Sequence, residues 1–280
     1  MHDVAADPSQ LPGFAGAAAQ AGPAAPRRVR AGWGLLLPVV VLAAWEVAVR
    51  LGWVNGHLLP APSEIVQTIA SFGAQALAGH VLASTGRVAA GFAIGAGLAI
   101  AVGALVGLSR RGEALLDPSF QALRAIPSLA WVPLLLLWLG IDEAPKVVLI
   151  AIGAFFPVYM GVASGFRDVD RKLVEVARMY RLSSVELVRR VLLPAALPAV
   201  LTGLRNGLSL AWMFMVAAEL IAAINGLGYL LTDGREMGRA DIVLAAIVLL
   251  ALLGKVTDTG VAWIERRLLA WRDTYDRAAR

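Results

Sequence analysis

The sequence predicts an all-α membrane protein with six transmembrane helices, and three observations carry that prediction. The 280 residues are 59% hydrophobic and 16% charged, against about 45–50% and roughly 25% in a soluble globular domain. Mean hydropathy is +0.71, an excess too large for one buried core, which leaves lipid as the solvent. The apolar residues fall into six stretches, near 33–52, 84–108, 119–139, 146–166, 195–223 and 241–263, each close to the ~20 residues a helix needs to cross a bilayer.

Ahead of the first stretch, residues 1–31 are rich in Ala, Gly and Pro and end in Arg27, Arg28 and Arg30. Such a segment cannot bury enough apolar surface to offset its ordering entropy, so a disordered cytoplasmic tail is expected there. A signal peptide fits less well, given the long polar lead, Glu46 late in the apolar run and the lack of a small-residue cleavage site. Residues 32–272 form the expected transmembrane domain, and 273–280 a short cytoplasmic tail. The stretch 63–79 is apolar on one face only and is expected to lie at the membrane surface.

Basic residues set the orientation, because cytoplasmic loops of membrane proteins are enriched in Lys and Arg. With the N-terminus inside, seventeen of the 25 Lys and Arg residues are cytoplasmic. They stand in the N-terminal tail, at Arg110 and Arg111, in the loop after the fourth stretch, and in the C-terminal segment from Arg266. Five lie outside or at outer helix ends: Arg50, Arg87, Lys146, Arg235 and Arg239. Both termini are therefore expected in the cytoplasm. The net charge of +5 is spread by topology rather than gathered for nucleic acid, which is not expected as a partner. The chain has no cysteine, and His2, His57 and His80 are scattered, so disulfides, thiolate chemistry and a histidine metal cluster are not expected.

Four small-xxx-small pairs, Gly91–Gly95, Gly103–Gly107, Gly161–Gly165 and Gly203–Gly207, suit close approach of helix backbones in lipid. Pro127, Pro133 and Pro157 interrupt the third and fourth stretches and are expected to kink them.

The loop at 167–194, RDVDRKLVEVARMYRLSSVELVRRVLLP, differs from the others. Leu173, Val176, Tyr180, Val185, Val188 and Val191 recur at helical spacing with charges between them. Ser183 followed by Glu186 fits a capping box, so two short amphipathic helices joined at Leu182–Ser184 are expected. One-sided apolar patterning outside the bilayer needs a surface to pack against, either anionic lipid or a protein. The residue order here resembles the EAA motif of ABC-importer permeases: E-A-A, three residues, G, nine residues, then I-x-L-P. Glu175-Val176-Ala177 stands at its start and Val191-Leu192-Leu193-Pro194 at its close. Arg181 occupies the position of the motif glycine, a departure that puts the backbone of the turn in question. The segments 58–65, 125–141, 193–212, 217–231 and 263–271 resemble the sulfonate, taurine and nitrate branch of these permeases.

The resemblance implies a type I ABC-importer permease fold with 167–194 as a cytoplasmic coupling helix in the bacterial inner membrane. Carried over by position, the ATPase-coupling residues are Glu175, Ala177, Arg178, Arg181, Leu182, Ser183, Ser184 and Pro194. It further implies a second permease copy, a cytosolic ABC ATPase dimer and an extracytoplasmic solute-binding protein, all working within membrane lipid. The solute would be a small organic anion such as an aliphatic sulfonate or taurine, or else nitrate. ATP would belong to the ATPase partner, and no cofactor is expected in this chain. Consistent with that, Gly254-Lys255 lacks the upstream glycine of a phosphate-binding loop, so the chain is not expected to be an enzyme.

Ionisable groups within spans are costly and need an account. Arg205, Asn206, Trp212 and Glu219 are candidates for the translocation path, with helix packing as the plainer use of Arg205, Asn206 and Glu219. Lys255 and Asp258 are spaced to pair with each other, and Glu46 and Arg124 are placed near span ends, from which they would reach water. The alternative function is a secondary transporter driven by an ion gradient, with Glu219 as its one plausible carrier; no repeat between the halves supports it.

Overall fold

The computed structural model describes residues 33–271, so the tails expected at 1–31 and 273–280 lie outside the described residues. Met1–Val41 with Arg272–Arg280 forms one unit, of which only the opening of the first helix is described; Leu42–Trp271 forms the other and holds every contact given below. The helices are α1 (Trp33–Arg50), α2 (Pro62–Ser71), α3 (Ala74–Leu108), α4 (Arg110–Ala125), α5 (Val132–Leu139), α6 (Glu143–Arg167), α7 (Arg171–Met179), α8 (Ser184–Leu187), α9 (Leu193–Ala222), α10 (Leu227–Glu236) and α11 (Ala240–Leu268). A 3₁₀ turn at Ser128–Trp131 leads into α5, and a π turn at Val188–Leu192 joins α8 to α9.

Four of the described helical runs are long and apolar enough to cross a membrane alone: α3, α6, Ser184–Ile221 and α11. A fifth crossing exists only if α4 and the segment Ser128–Leu139, bent by 86° from one another, count as one. The expected first span is α1, 18 residues long. The expectation of six is thus not reproduced as six straight helices. The third, at 119–139, is corrected to a broken element whose cause is local. Ile126 precedes Pro127, whose ring disfavours the α conformation in the residue before it. Ile126 is extended, with φ −76° and ψ 122°. By contrast α6 remains helical through Pro157. The expected surface stretch 63–79 is also split: α2 ends before Gly73, which takes φ 74°, and the remainder belongs to the 35-residue α3.

The centre of the bundle is α6, packed on α3 along one side and on α9 along the other. Half of its apolar window is buried, 50% against 17% for α11. Its start is fixed by Asp142, whose carboxylate accepts the Glu143 N–H at 2.8 Å, meeting one of the donors a helix leaves unpaired at its N-terminus. All four glycine pairs expected to bring backbones together do so. Gly91, Gly95, Gly103 and Gly107 meet α6, while Gly161, Gly165, Gly203 and Gly207 form the contact between α6 and α9. A Cβ on Gly161 would stand 2.7 Å from the Gly203 Cα. With no hydrophobic effect between helices in lipid, such backbone contact supplies much of the association energy.

Beside this core, α4 is held to α6 by Tyr159, which donates to Asp117 at 2.5 Å, and by Arg167, 3.3 Å from both Asp117 and Glu113. Phe120 stacks into the same place against Phe155 and Tyr159. α10 and α11 close a smaller cluster of Leu227, Leu230, Ile242 and Ala246. Outward faces are apolar: Ile94 and Leu98 on α3, and Val248, Leu252 and Val256 on α11, are exposed, the pattern of a bundle solvated by lipid.

Because the α6–α9 contact is backbone on backbone, Gly203→Leu is expected to abolish stable folding, whereas Gly97→Leu, with open space at its Cβ position, should be tolerated. Yield and monodispersity after detergent extraction would show the difference; equal recovery of the two variants would refute the packing account.

Candidate functional site

The loop between α6 and α9 begins where α6 ends at Asp168. Asp170 caps α7, its carboxylate accepting the Lys172 N–H at 2.8 Å. α7 then ends in a Schellman arrangement. The Leu182 N–H bonds the Ala177 carbonyl at 3.2 Å and the Arg181 N–H bonds that of Arg178 at 2.9 Å. The residue between these bonds must be left-handed, and Arg181, with φ 54°, is the one non-glycine residue of positive φ among the described residues. Arg181 holds this left-handed conformation, which favours glycine, at a cost of about 1–2 kcal/mol for an L side chain, and its side chain is exposed.

The expected capping box is formed: Ser183 Oγ accepts the Glu186 N–H at 3.4 Å, and the Glu186 carboxylate accepts the Ser183 N–H at 3.1 Å. The second short helix is nonetheless not a separate body. α8 passes through the π turn directly into α9, so Ser184 to Ile221 is one continuous helical run. Ala177 is buried, 4% exposed, where α7 lies against the π turn. Glu175 is exposed and pairs with Arg171 at 2.9 Å. Arg178 and Ser184 are exposed, Leu182 and Pro194 half-buried. Around them Val176 (50%), Met179 (81%), Tyr180 (78%) and Val185 (74%) are exposed, a cluster of apolar side chains that nothing in the described chain covers.

Within the bundle, the four path candidates are not brought together. Arg205 makes a two-pronged pair with Asp258 at 2.6 and 2.9 Å, with Glu265 3.8 Å away. The expected Lys255–Asp258 pairing is corrected, since the Asp258 carboxylate is taken by Arg205 across the helix interface. Trp212 Nε1 donates to Thr257 Oγ1 at 3.0 Å. Both of these bonds tie α9 to α11. Glu219 is 1% exposed and accepts from Ser84, from Arg87 at 2.6 Å and from the Gly228 N–H at 2.7 Å. Asn206 alone of the four faces outward.

The Glu219 cluster extends further than sequence spacing reports. Arg87 is 5% exposed and uses every arm of its guanidinium. It forks onto Glu143 at 2.6 and 2.7 Å, reaches Glu219, and donates to the backbone and side-chain oxygens of Asn225. Lys146 meets Glu143 at 2.9 Å. One cluster thus joins α3, α6, α9 and the start of α10. Position alone sets Arg87 and Lys146 at helix ends; the signal available was that Arg87 and Glu219 interrupt apolar helices, with Glu143 at the start of a third.

A polytopic helical bundle with an amphipathic loop standing clear of it has the organisation of a transporter's membrane subunit. Residues 93–270 match the family described as binding-protein-dependent transport system inner membrane component, and the chain belongs to that family. It is 46% identical over 254 residues to the putative aliphatic sulfonates transport permease protein SsuC of Bacillus subtilis (strain 168), covering 90% of this chain and 92% of that one. It is 43% identical to SsuC of Escherichia coli (strain K12), covering 85% and 91%, and 35% identical to the taurine transport system permease protein TauC of the same organism, covering 83% and 86%. Its fold is similar to that in an inward-facing structure of the MetNI methionine ABC transporter, with a TM-score of 0.58 and 22% identity over 69% of this chain and 96% of that one.

Two outcomes follow from the geometry. Arg181→Gly should relieve the left-handed strain and slow hydrogen exchange at the Leu182 amide, by a local stabilisation of about 1 kcal/mol; faster exchange would contradict the turn geometry. Arg87→Met would strand Glu219 without its counter-charge and should cost about 3–5 kcal/mol. Arg50→Met, at an exposed pair with Glu46, should leave stability almost unchanged. Thermal unfolding in detergent compares the two.

Proposed function

We propose that this chain is the permease of an ATP-driven importer of aliphatic sulfonates, taurine among them, acting as two copies. A cytosolic ATPase pair engages the 167–194 loop, and a solute-binding protein delivers the anion from the opposite face. Both termini lie in the cytosol, as the bias of Lys and Arg toward that side requires. ATP is bound and hydrolysed by the ATPase, not by this chain.

The observation that carries this reading is the uncovered apolar cluster of Val176, Met179, Tyr180 and Val185. Apolar area of this kind on a rigid, capped turn is stabilised by a protein cleft that excludes water from it, with aromatic and Met side chains as the usual anchors. Arg171, Arg178 and Arg181 around its rim suit an acidic partner surface. The sulfonate assignment rests on the relatives: both SsuC proteins share more identity with this chain than TauC does.

A strain lacking the gene should fail to grow on an alkanesulfonate or taurine as sole sulfur source while growing on sulfate. The chain co-expressed with its ATPase should purify with it in equal amount, and Val176→Asp combined with Tyr180→Asp should lose the ATPase while remaining folded. Undiminished ATPase recovery in that double variant refutes the docking surface. Normal growth of the deletion strain on every sulfonate refutes the substrate.

A further inference from the structure

Among the described residues two cations within the bundle take part in no ion pair, Lys255, exposed on α11, and Arg124. Arg87 and Lys146 meet Glu143 and Glu219, and Arg205 meets Asp258. Arg124 stands in the last turn of α4, just before the 86° bend, and lines a cavity of about 360 Å³ with Ser128, Phe156, Met160, Met213 and Phe214. Phe156 stands at the middle of α6, and Met213 and Phe214 lie in the second half of α9. An unpaired guanidinium beside these residues is held there only where water or a charged ligand reaches it.

A second observation leads to the same cavity. Thr202, Asn206, Ser209 and Met213 are exposed at steps of one helical turn along α9, a polar stripe on a largely apolar helix. Thr202 and Ser209 satisfy their hydroxyls on the carbonyls of Pro198 and Arg205, so the stripe is wettable without being sticky. It ends at Met213, on the cavity wall. Polar residues on an otherwise apolar spanning helix mark a water-filled route.

We propose that this cavity is a station for the transported anion. The Arg124 guanidinium and the Ser128 hydroxyl receive the oxyanion head group, and Phe156, Phe214, Met160 and Met213 enclose an apolar tail. Planar donors match a three-oxygen head by paired hydrogen bonds. The two phenylalanines and two methionines provide an adaptable apolar wall, which suits alkanesulfonates of differing length better than a small inorganic anion. Arg124 is then a specificity-determining residue of the permease itself, acting after release from the binding protein. This inference rests on the importer reading above.

The test is uptake by the complete transporter, permease with ATPase and binding protein, in proteoliposomes supplied with ATP inside the compartment that holds the ATPase. The substrates are ethanesulfonate, octanesulfonate and taurine. Arg124→Met should lower uptake of all three by about tenfold or more, the worth of a hydrogen-bonded charge pair. Stimulation of ATP hydrolysis by the loaded binding protein should persist in that variant. Arg124→Lys should recover part of the loss. Phe156→Ala should shift the ratio of octanesulfonate to ethanesulfonate uptake with the head-group dependence intact. Uptake by Arg124→Met within about twofold of the unmutated transporter, or separation of its two permease copies on size exclusion, overturns the station and makes Arg124 a spectator or an interface residue. Failure of the unmutated transporter to accumulate any sulfonate overturns the importer reading, and the station with it.

Discussion

A charge carried into the hydrocarbon region must be met by an opposite charge or by water, because the bilayer offers nothing else to solvate it. The bundle is organised around that constraint. At one end of α3, α6 and α9, Arg87 is held between Glu143 and Glu219, and Ser84, Asn225 and the Gly228 N–H take up the remaining hydrogen-bonding capacity. The pairing does more than neutralise. Each partner comes from a different helix, so the cluster is satisfied in one arrangement of α3, α6, α9 and α10 and leaves a buried charge bare in others. Nearer the other end, Arg205 and Asp258 do the same for α9 and α11. Between the two, Arg124 stands at a cavity with no acidic partner in the described chain. The matched charges fix the helices, and Arg124, unmatched beside a cavity, is where the proposed station receives its anion.

Backbone contact is the second element. Glycines let α6 sit against α3 and α9 with carbonyls and α-carbons as the touching surfaces, so these three helices form a block with little side-chain slack. Such a block has no room inside for a path. Space arises instead where the third apolar stretch breaks. The turn at Ile126–Pro127 swings α5 away from α4, while Tyr159, Asp117 and Arg167 keep α4 pinned to α6. The cavity beside Arg124 lies beside that break. A proline that prevents a straight rod thus creates the opening, and the tethers on α4 stop it from collapsing.

Much of this was legible in the residues and part of it was not, for physical reasons. The spans declare themselves through apolar length, the glycine pairs through spacing, and the Ser183–Glu186 cap through local chemistry, because each depends on residues a few positions apart. Pro127 signalled a kink in the third stretch but not its size. Residues 119–139 are mainly apolar, and composition cannot say whether a proline there gives a slight kink or two arms at 86°. The pairing of Arg87 with Glu219 spans 132 positions, and no periodicity reports on a contact of that separation. Lys255 and Asp258 show the converse hazard. Their spacing allows a pair, yet Arg205 from another helix offers a planar two-pronged fit and takes the carboxylate. Arg124, near the start of the third apolar stretch, stands where α4 ends at the bend, beside residues of α6 and α9 that no sequence spacing relates to it.

The π turn at Val188–Leu192 links these parts. Had the loop ended in a flexible hinge, a force applied at α7 would be absorbed there. Instead Ser184 to Ile221 is continuous, with one wide turn marking the junction, a feature found at functional sites in helices more often than elsewhere. α7 is fastened to the turn by the buried Ala177, and its end is locked by the left-handed Arg181. Any displacement of the exposed apolar cluster is therefore passed into α9 as a rigid movement. α9 carries the Asn206–Ser209–Met213 face, Arg205 and Glu219 along its length. A shift at one end thus reaches both the cavity wall and the ionic cluster at the other. With those charges satisfied in one geometry, α9 favours discrete positions over a continuum of them, as an alternating-access subunit requires.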